Sequence, residues 1–86
     1  MIDQEDIQKV LENLKQQRDE LRLQMHLAKA EAKEVWENME KKWDEFEPKA
    51  KQVGGATAEA SKDVFAAARQ LGKEIREGYE HIRKSL

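Results

Sequence analysis

The sequence predicts an all-α fold: a two-helix antiparallel hairpin, long first helix and shorter second, assembling as a coiled-coil or four-helix-type homo-oligomer. Three observations carry that reading. Apolar residues recur at alternating spacings of three and four through Ile7, Leu11, Leu14, Leu21, Met25, Ala28, Ala32, Val35 and Met39, with Arg18 as the one polar member. No Gly or Pro occurs between Asp3 and Phe46. The pattern is interrupted once, at Gly54-Gly55, and resumes through Val64, Ala67, Leu71, Ile75 and Ile82. A stripe this narrow makes a helix that lays one seam against another helix.

The first helix is expected over 3–53. Asp3 suits the N-cap, and Glu5 and Asp6 complement the positive end of the helix dipole. The Leu, Lys, Gln, Glu, Arg and Ala that follow lose least on entering a helix. Acid-before-base pairs four apart, such as Glu37–Lys41 and Glu47–Lys51, add a few tenths of a kcal/mol each. Pro48 removes one backbone donor, yet the stripe crosses it from Phe46 to Ala50 and Val53, so a kink is expected there rather than a stop. A glycine turn at 54–56 ends the helix, because glycine readily takes the left-handed C-cap conformation. The second helix is expected over 57–84, capped by Thr57 and closed by His81, Arg83 and Lys84. Gly72 and Gly78 inside it each cost up to about 1 kcal/mol against alanine; they mark either a close backbone approach or simple tolerance.

A turn centred on Gly54-Gly55 sets side by side residues whose numbers sum to about 109. Trp36, Met39, Trp43, Phe46, Val64, Phe65, Leu71, Ile75 and Ile82 then form the hairpin core, with Phe65 against Trp43 and Ile82 against Leu27. The same arithmetic leaves about the first 22 residues with no partner in the chain, stranding several side chains whose burial is worth about 1.5–3 kcal/mol each. Ile7, Val10, Leu11, Leu14, Arg18 and Leu21 are therefore the expected interface with another molecule, a second copy in a homo-oligomer (a dimer is favoured) or a larger protein complex. On that reading Leu14→Glu weakens assembly and spares helix content.

Composition narrows the function. The chain has 86 residues, of which 40% are charged and 38% apolar, a balance that favours exposed helices in a single domain over 1–86. There is no cysteine, hence no disulfide framework or thiolate metal site. Net charge is −2 with acids and bases interleaved, and no basic stripe stands out, so nucleic acid is not an expected partner. The acidic start lacks a secretory pattern and no apolar run reaches membrane-spanning length, which points to the cytoplasm.

Catalytic chemistry is not expected. Ser61 and Ser85, the only serines, have no base and orienting acid in plausible range. His26 and His81 could approach one another in a hairpin, but lack the local ligand spacing of a zinc site. The acids Glu31, Glu34, Glu37 and Glu40 lack the accompanying Glu-x-x-His of carboxylate metal bundles. Neither cofactor nor metal is implied. Arg18 either selects register by pairing with an acid or snorkels at the seam's edge.

The run from Leu14 to Lys33, Trp36, the Glu-Lys-Lys-Trp stretch at 40–43 and the ending from Gly78 to Leu86 resemble short uncharacterised coiled-coil proteins of proteobacteria. The resemblance implies helical architecture and a bacterial cytoplasmic setting, and transfers no functional residue. The stretch from Thr57 to Val64 is also similar in composition to stress-associated amphipathic repeat proteins. The expected function is thus a non-enzymatic oligomerisation or adaptor protein that binds itself or a larger complex through its apolar seam. The alternatives are reversible association with a membrane or granule surface, and a stress protectant.

Overall fold

In the computed structural model the chain is described over residues 4–53 and 62–85, with side chains from Ile7 onward. The described residues form three helices: α1 (Gln4–Gln24), α2 (Ala30–Val53) and α3 (Lys62–Ser85). The single helix expected over 3–53 is therefore two. A short 3-10 turn, Met25–Leu27, follows α1, and Ala28 is extended with φ −77° and ψ 149°. The hairpin is corrected to a three-helix bundle, up-down-up, whose longest dimension is 42 Å. A continuous rod over residues 3–46 would have measured about 65 Å at 1.5 Å per residue.

The physical reason for the break is burial. Folding α1 back leaves Ile7, Leu14 and Leu21 only 1% exposed and Leu11 7% exposed, in one core with Trp43, Phe46, Ile75 and Ile82. The leading stripe is thus covered within the chain and is not stranded. Leu14→Glu would place a charge in this core, so its expected effect becomes loss of cooperative folding rather than loss of assembly alone. The expected caps Asp3 and Thr57 and the turn at 54–56 lie outside the described residues. Helix α2 runs through Pro48 to Val53. In its last turn the Ala50 carbonyl accepts a 3.0 Å hydrogen bond from Gln8 Nε2 on α1.

Register is the second correction. The α2–α3 neighbours Trp36–Tyr79, Met39–Gly78, Lys42–Glu74 and Phe46–Gly72 have numbers summing to 115–118 rather than about 109. The shift is about one heptad, so the same faces meet through different partners. Leu27, expected opposite Ile82, is 91% exposed while Ile82 is fully buried. Across α1 and α2 the pairs Gln8–Ala50 and Arg18–Glu40 confirm antiparallel packing. Glu20 beside Arg83 at 3.9 Å, together with Val10 beside Gly72, makes α1 parallel to α3.

Gly78 marks a close approach. A Cβ there would sit 2.7 Å from Met39 Cγ and 2.9 Å from its Cε, so the thioether would have to move as a whole. At Gly72 the nearest atoms, Phe46 Cε1 and Val10 Cγ1, stand at 3.2 and 3.3 Å and need yield only slightly. Gly78→Ala is expected to destabilise the bundle by about 1–2 kcal/mol, overpacking exceeding the gain in helix propensity. Gly72→Ala should be nearly neutral. Urea denaturation of the two variants checks the order.

Candidate functional site

Two arrangements of polar side chains emerge from this packing. The first is a half-open groove of about 650 Å³ between α1 and α3. Its floor is apolar: buried Ile7 and Leu14 and half-buried Val10 from α1, with Ala66 and Gly72 from α3. Around it stand four cations, Lys9 from α1 and Arg69, Lys73 and Arg76 from α3. No acid is among the described residues lining it, and the amides of Asn13 and Gln70 complete the polar lining.

Helical geometry assembles the cations. Arg69, Lys73 and Arg76 are spaced four and three apart and so share one face of α3. Their acidic sequence neighbour Glu74 is on the α2 side, where it accepts a 3.1 Å hydrogen bond from Lys42 Nζ. The sequence reading missed this stripe because it judged charge along the chain, where Glu74 and Glu77 interrupt it. Spacing alone could have revealed the α3 triad. Lys9 could not be added without the position of α1.

The second arrangement is a node where the three helices meet. Arg18 Nε and one Nη donate to the two carboxylate oxygens of Glu40, both at 2.8 Å, and the guanidinium lies 5.4 Å from the Trp43 ring centroid. The bidentate contact raises the Arg18 pKa above its ordinary value, chiefly through the hydrogen bonds to Glu40 and against partial desolvation. Tyr79 is fully buried and stacks on Trp36, with ring centroids 6.0 Å apart. Its hydroxyl finds no hydrogen-bond partner among the described residues. Burial raises its pKa well above the ordinary phenol range, the Glu40 carboxylate adds to the rise, and Arg18 opposes it.

The sequence-predicted residues fall as follows. Ile7, Leu11, Leu14 and Leu21 are buried in the intrachain core; Val10 is half-buried and lines the groove; Arg18 pairs with Glu40. Met39, Trp43, Phe46, Ile75 and Ile82 are buried, with Trp36, Val64, Phe65 and Leu71 partly buried against them. Tyr79 was missed as a core residue, although it sits four after Ile75 and three before Ile82. His26 and His81 are exposed, and no group of three metal-ligating side chains gathers among the described residues. Ser85 Oγ donates to the His81 carbonyl. None of the helices, over the described residues, is long and apolar enough to cross a membrane.

No protein-family model, curated protein or solved structure matches the chain.

The Tyr79 hydroxyl makes a sharp prediction. A folded-state pKa raised above the unfolded value means that the folded chain holds its proton more tightly. Stability is then complete below the unfolded value of about 10 and falls as pH rises through it. Tyr79→Phe should flatten the alkaline loss of stability above about pH 10. At neutral pH it should leave stability unchanged or raise it by up to about 1 kcal/mol, since the lost hydroxyl has no partner among the described residues. Chemical denaturation of both proteins across pH measures this.

Proposed function

We propose that the protein is a non-enzymatic adaptor, and that its α1–α3 groove docks an acidic amphipathic helix of a partner protein. The observation that carries this reading is the combination of an apolar floor with four surrounding cations and no lining acid among the described residues. An amphipathic helix supplies the complement, with a leucine-type anchor over half-buried Val10 and exposed Ala66 and carboxylates for Lys9, Arg69, Lys73 and Arg76. Long cationic stems around the groove can lie along the apolar part of the helix while their heads meet its acids. Of the apolar stripe first expected to bind a partner, Ile7, Leu11, Leu14 and Leu21 are covered by α2 and α3, and half-buried Val10 is what remains accessible, in the groove.

Other ligands fit less well. Single-stranded nucleic acid is held by aromatic platforms, and the groove lining has none. Interfacial membrane binding uses exposed Trp or Phe, whereas Trp43 and Phe46 are buried and Trp36 is half-buried against Tyr79. Catalysis has no support in a nucleophile or base positioned in the groove.

The test is fluorescence anisotropy with a short labelled peptide carrying leucines at helical spacing and glutamates between them. Binding is expected to weaken with added salt and to fall by more than about tenfold in a Lys73→Glu, Arg76→Glu variant. Tighter binding of single-stranded nucleic acid or of anionic vesicles than of the peptide, lost in the same variant, would overturn the assignment.

A further inference from the structure

We infer that α1 can exchange between two copies of the chain: Met25–Lys29 straightens into helix, α1 and α2 become one rod, and each α1 docks on the α2–α3 face of the other copy. This goes beyond the groove as a docking site, because it concerns what occupies the bundle itself.

The connection between α1 and α2 is built from the wrong residues for a permanent turn. Gln24, Met25, His26, Leu27, Ala28, Lys29 and Ala30 contain no Gly, Pro, Asn, Asp or Ser. Most are strong helix formers. No side chain caps the 3-10 turn at Gln24, and the Ala28 N–H reaches only Met25 O, at 3.3 Å. The apolar spacing ignores the break altogether: Leu21, Met25, Ala28 and Ala32 step by four, three and four. Leu23 and Leu27, beside the turn, are 76% and 91% exposed.

The occupant of the vacated face is already defined, because α1 itself fits there. Ile7, Leu14 and Leu21 fill the core, Arg18 chelates Glu40 and Gln8 caps Ala50. All of these contacts can be made by the α1 of a second copy. The two rods then run antiparallel and cross at their straightened hinges. The open pair keeps the contacts of the closed chain and adds helical hydrogen bonds at the hinge, against the entropy of joining two molecules. Helices α2 and α3 pack more extensively on each other than either does on α1, so α1 is the element that leaves.

Charge complementation tests the exchange directly. In an Arg18→Glu chain, positions 18 and 40 are both acidic; in a Glu40→Arg chain, both are basic. Each closed chain is mispaired, but a mixed exchanged dimer restores an opposite-charge pair at both sites. Refolding the two together is expected to yield a one-to-one heterodimer in sedimentation and native mass spectrometry. Its thermal midpoint should exceed that of either variant alone. A mixture that stays at the 10.0 kDa monomer mass with the two separate midpoints would overturn the inference.

A second variant guards against simple misfolding. Ala30 is the first residue of α2, and the first helical bond runs from Lys33 N to Lys29 O at 3.0 Å. Ala30→Pro therefore suits the closed chain, where proline is favoured at the first helical position, and breaks the continuous rod. It should raise the dimer dissociation constant of the otherwise unaltered chain by more than about tenfold. An unaltered dimer population, or a parent chain that remains monomeric up to its solubility limit, would likewise overturn the proposal. These readouts are masses and melting points, so they stand apart from peptide binding at the groove.

Discussion

Ile7, Leu11, Leu14 and Leu21 must leave water, and within one chain the surface that receives them is the face shared by α2 and α3. Their burial is worth about 1.5–3 kcal/mol each. Bending the chain at Met25–Lys29 forfeits a few helical hydrogen bonds, each worth about 0.5–1.5 kcal/mol net. Burial wins that comparison, and the rest follows from it. Folding α1 back brings Arg18 to Glu40 and Gln8 to Ala50, and sets Lys9 across from the cationic face of α3. The connection is a concession by local structure to tertiary packing, which is why it carries no turn residue of its own.

Helical character was readable along the chain because periodic burial and propensity agree over Gln4–Gln24, Ala30–Val53 and Lys62–Ser85. The break was not, since neither signal changes across Met25–Lys29. Register was hidden for a related reason: a heptad pattern looks the same after a seven-residue slip. Non-periodic features decide it, namely the Gly78 backbone against Met39 and the Tyr79 ring on Trp36. The groove was half visible. Spacing places Arg69, Lys73 and Arg76 together, whereas Lys9 joins them through the fold-back of α1.

The Arg18–Glu40 pair illustrates how a polar contact can specify more than it stabilises. Its side chains are 21% and 32% exposed, so solvent screening leaves it a modest net contribution. Its discriminating power is larger. Sliding α1 by a heptad along α2 in one direction sets Arg18 against Lys33, a like charge. Sliding it the other way sets Arg18 against Glu47, which Lys51 already approaches at 3.9 Å. Either slip also abandons the face of Trp43. The one polar residue in the α1 stripe thereby breaks a degeneracy that the apolar residues leave open.

Docking at the groove and exchange of α1 share an element, and thermodynamics separates their effects. Both walls of the groove survive exchange, because the incoming α1 occupies the place of the outgoing one. A helix bound there meets the same Lys9, Val10, Arg69 and Lys73 whether α1 belongs to the same chain or to another. A ligand with equal affinity for two states does not shift the balance between them, however tightly it binds. It does bridge α1 to α3, and α1 must leave before it can exchange. An occupied groove therefore holds the proportion of monomer and exchanged dimer where it was, while slowing their interconversion. Partner binding would preserve whichever assembly it meets.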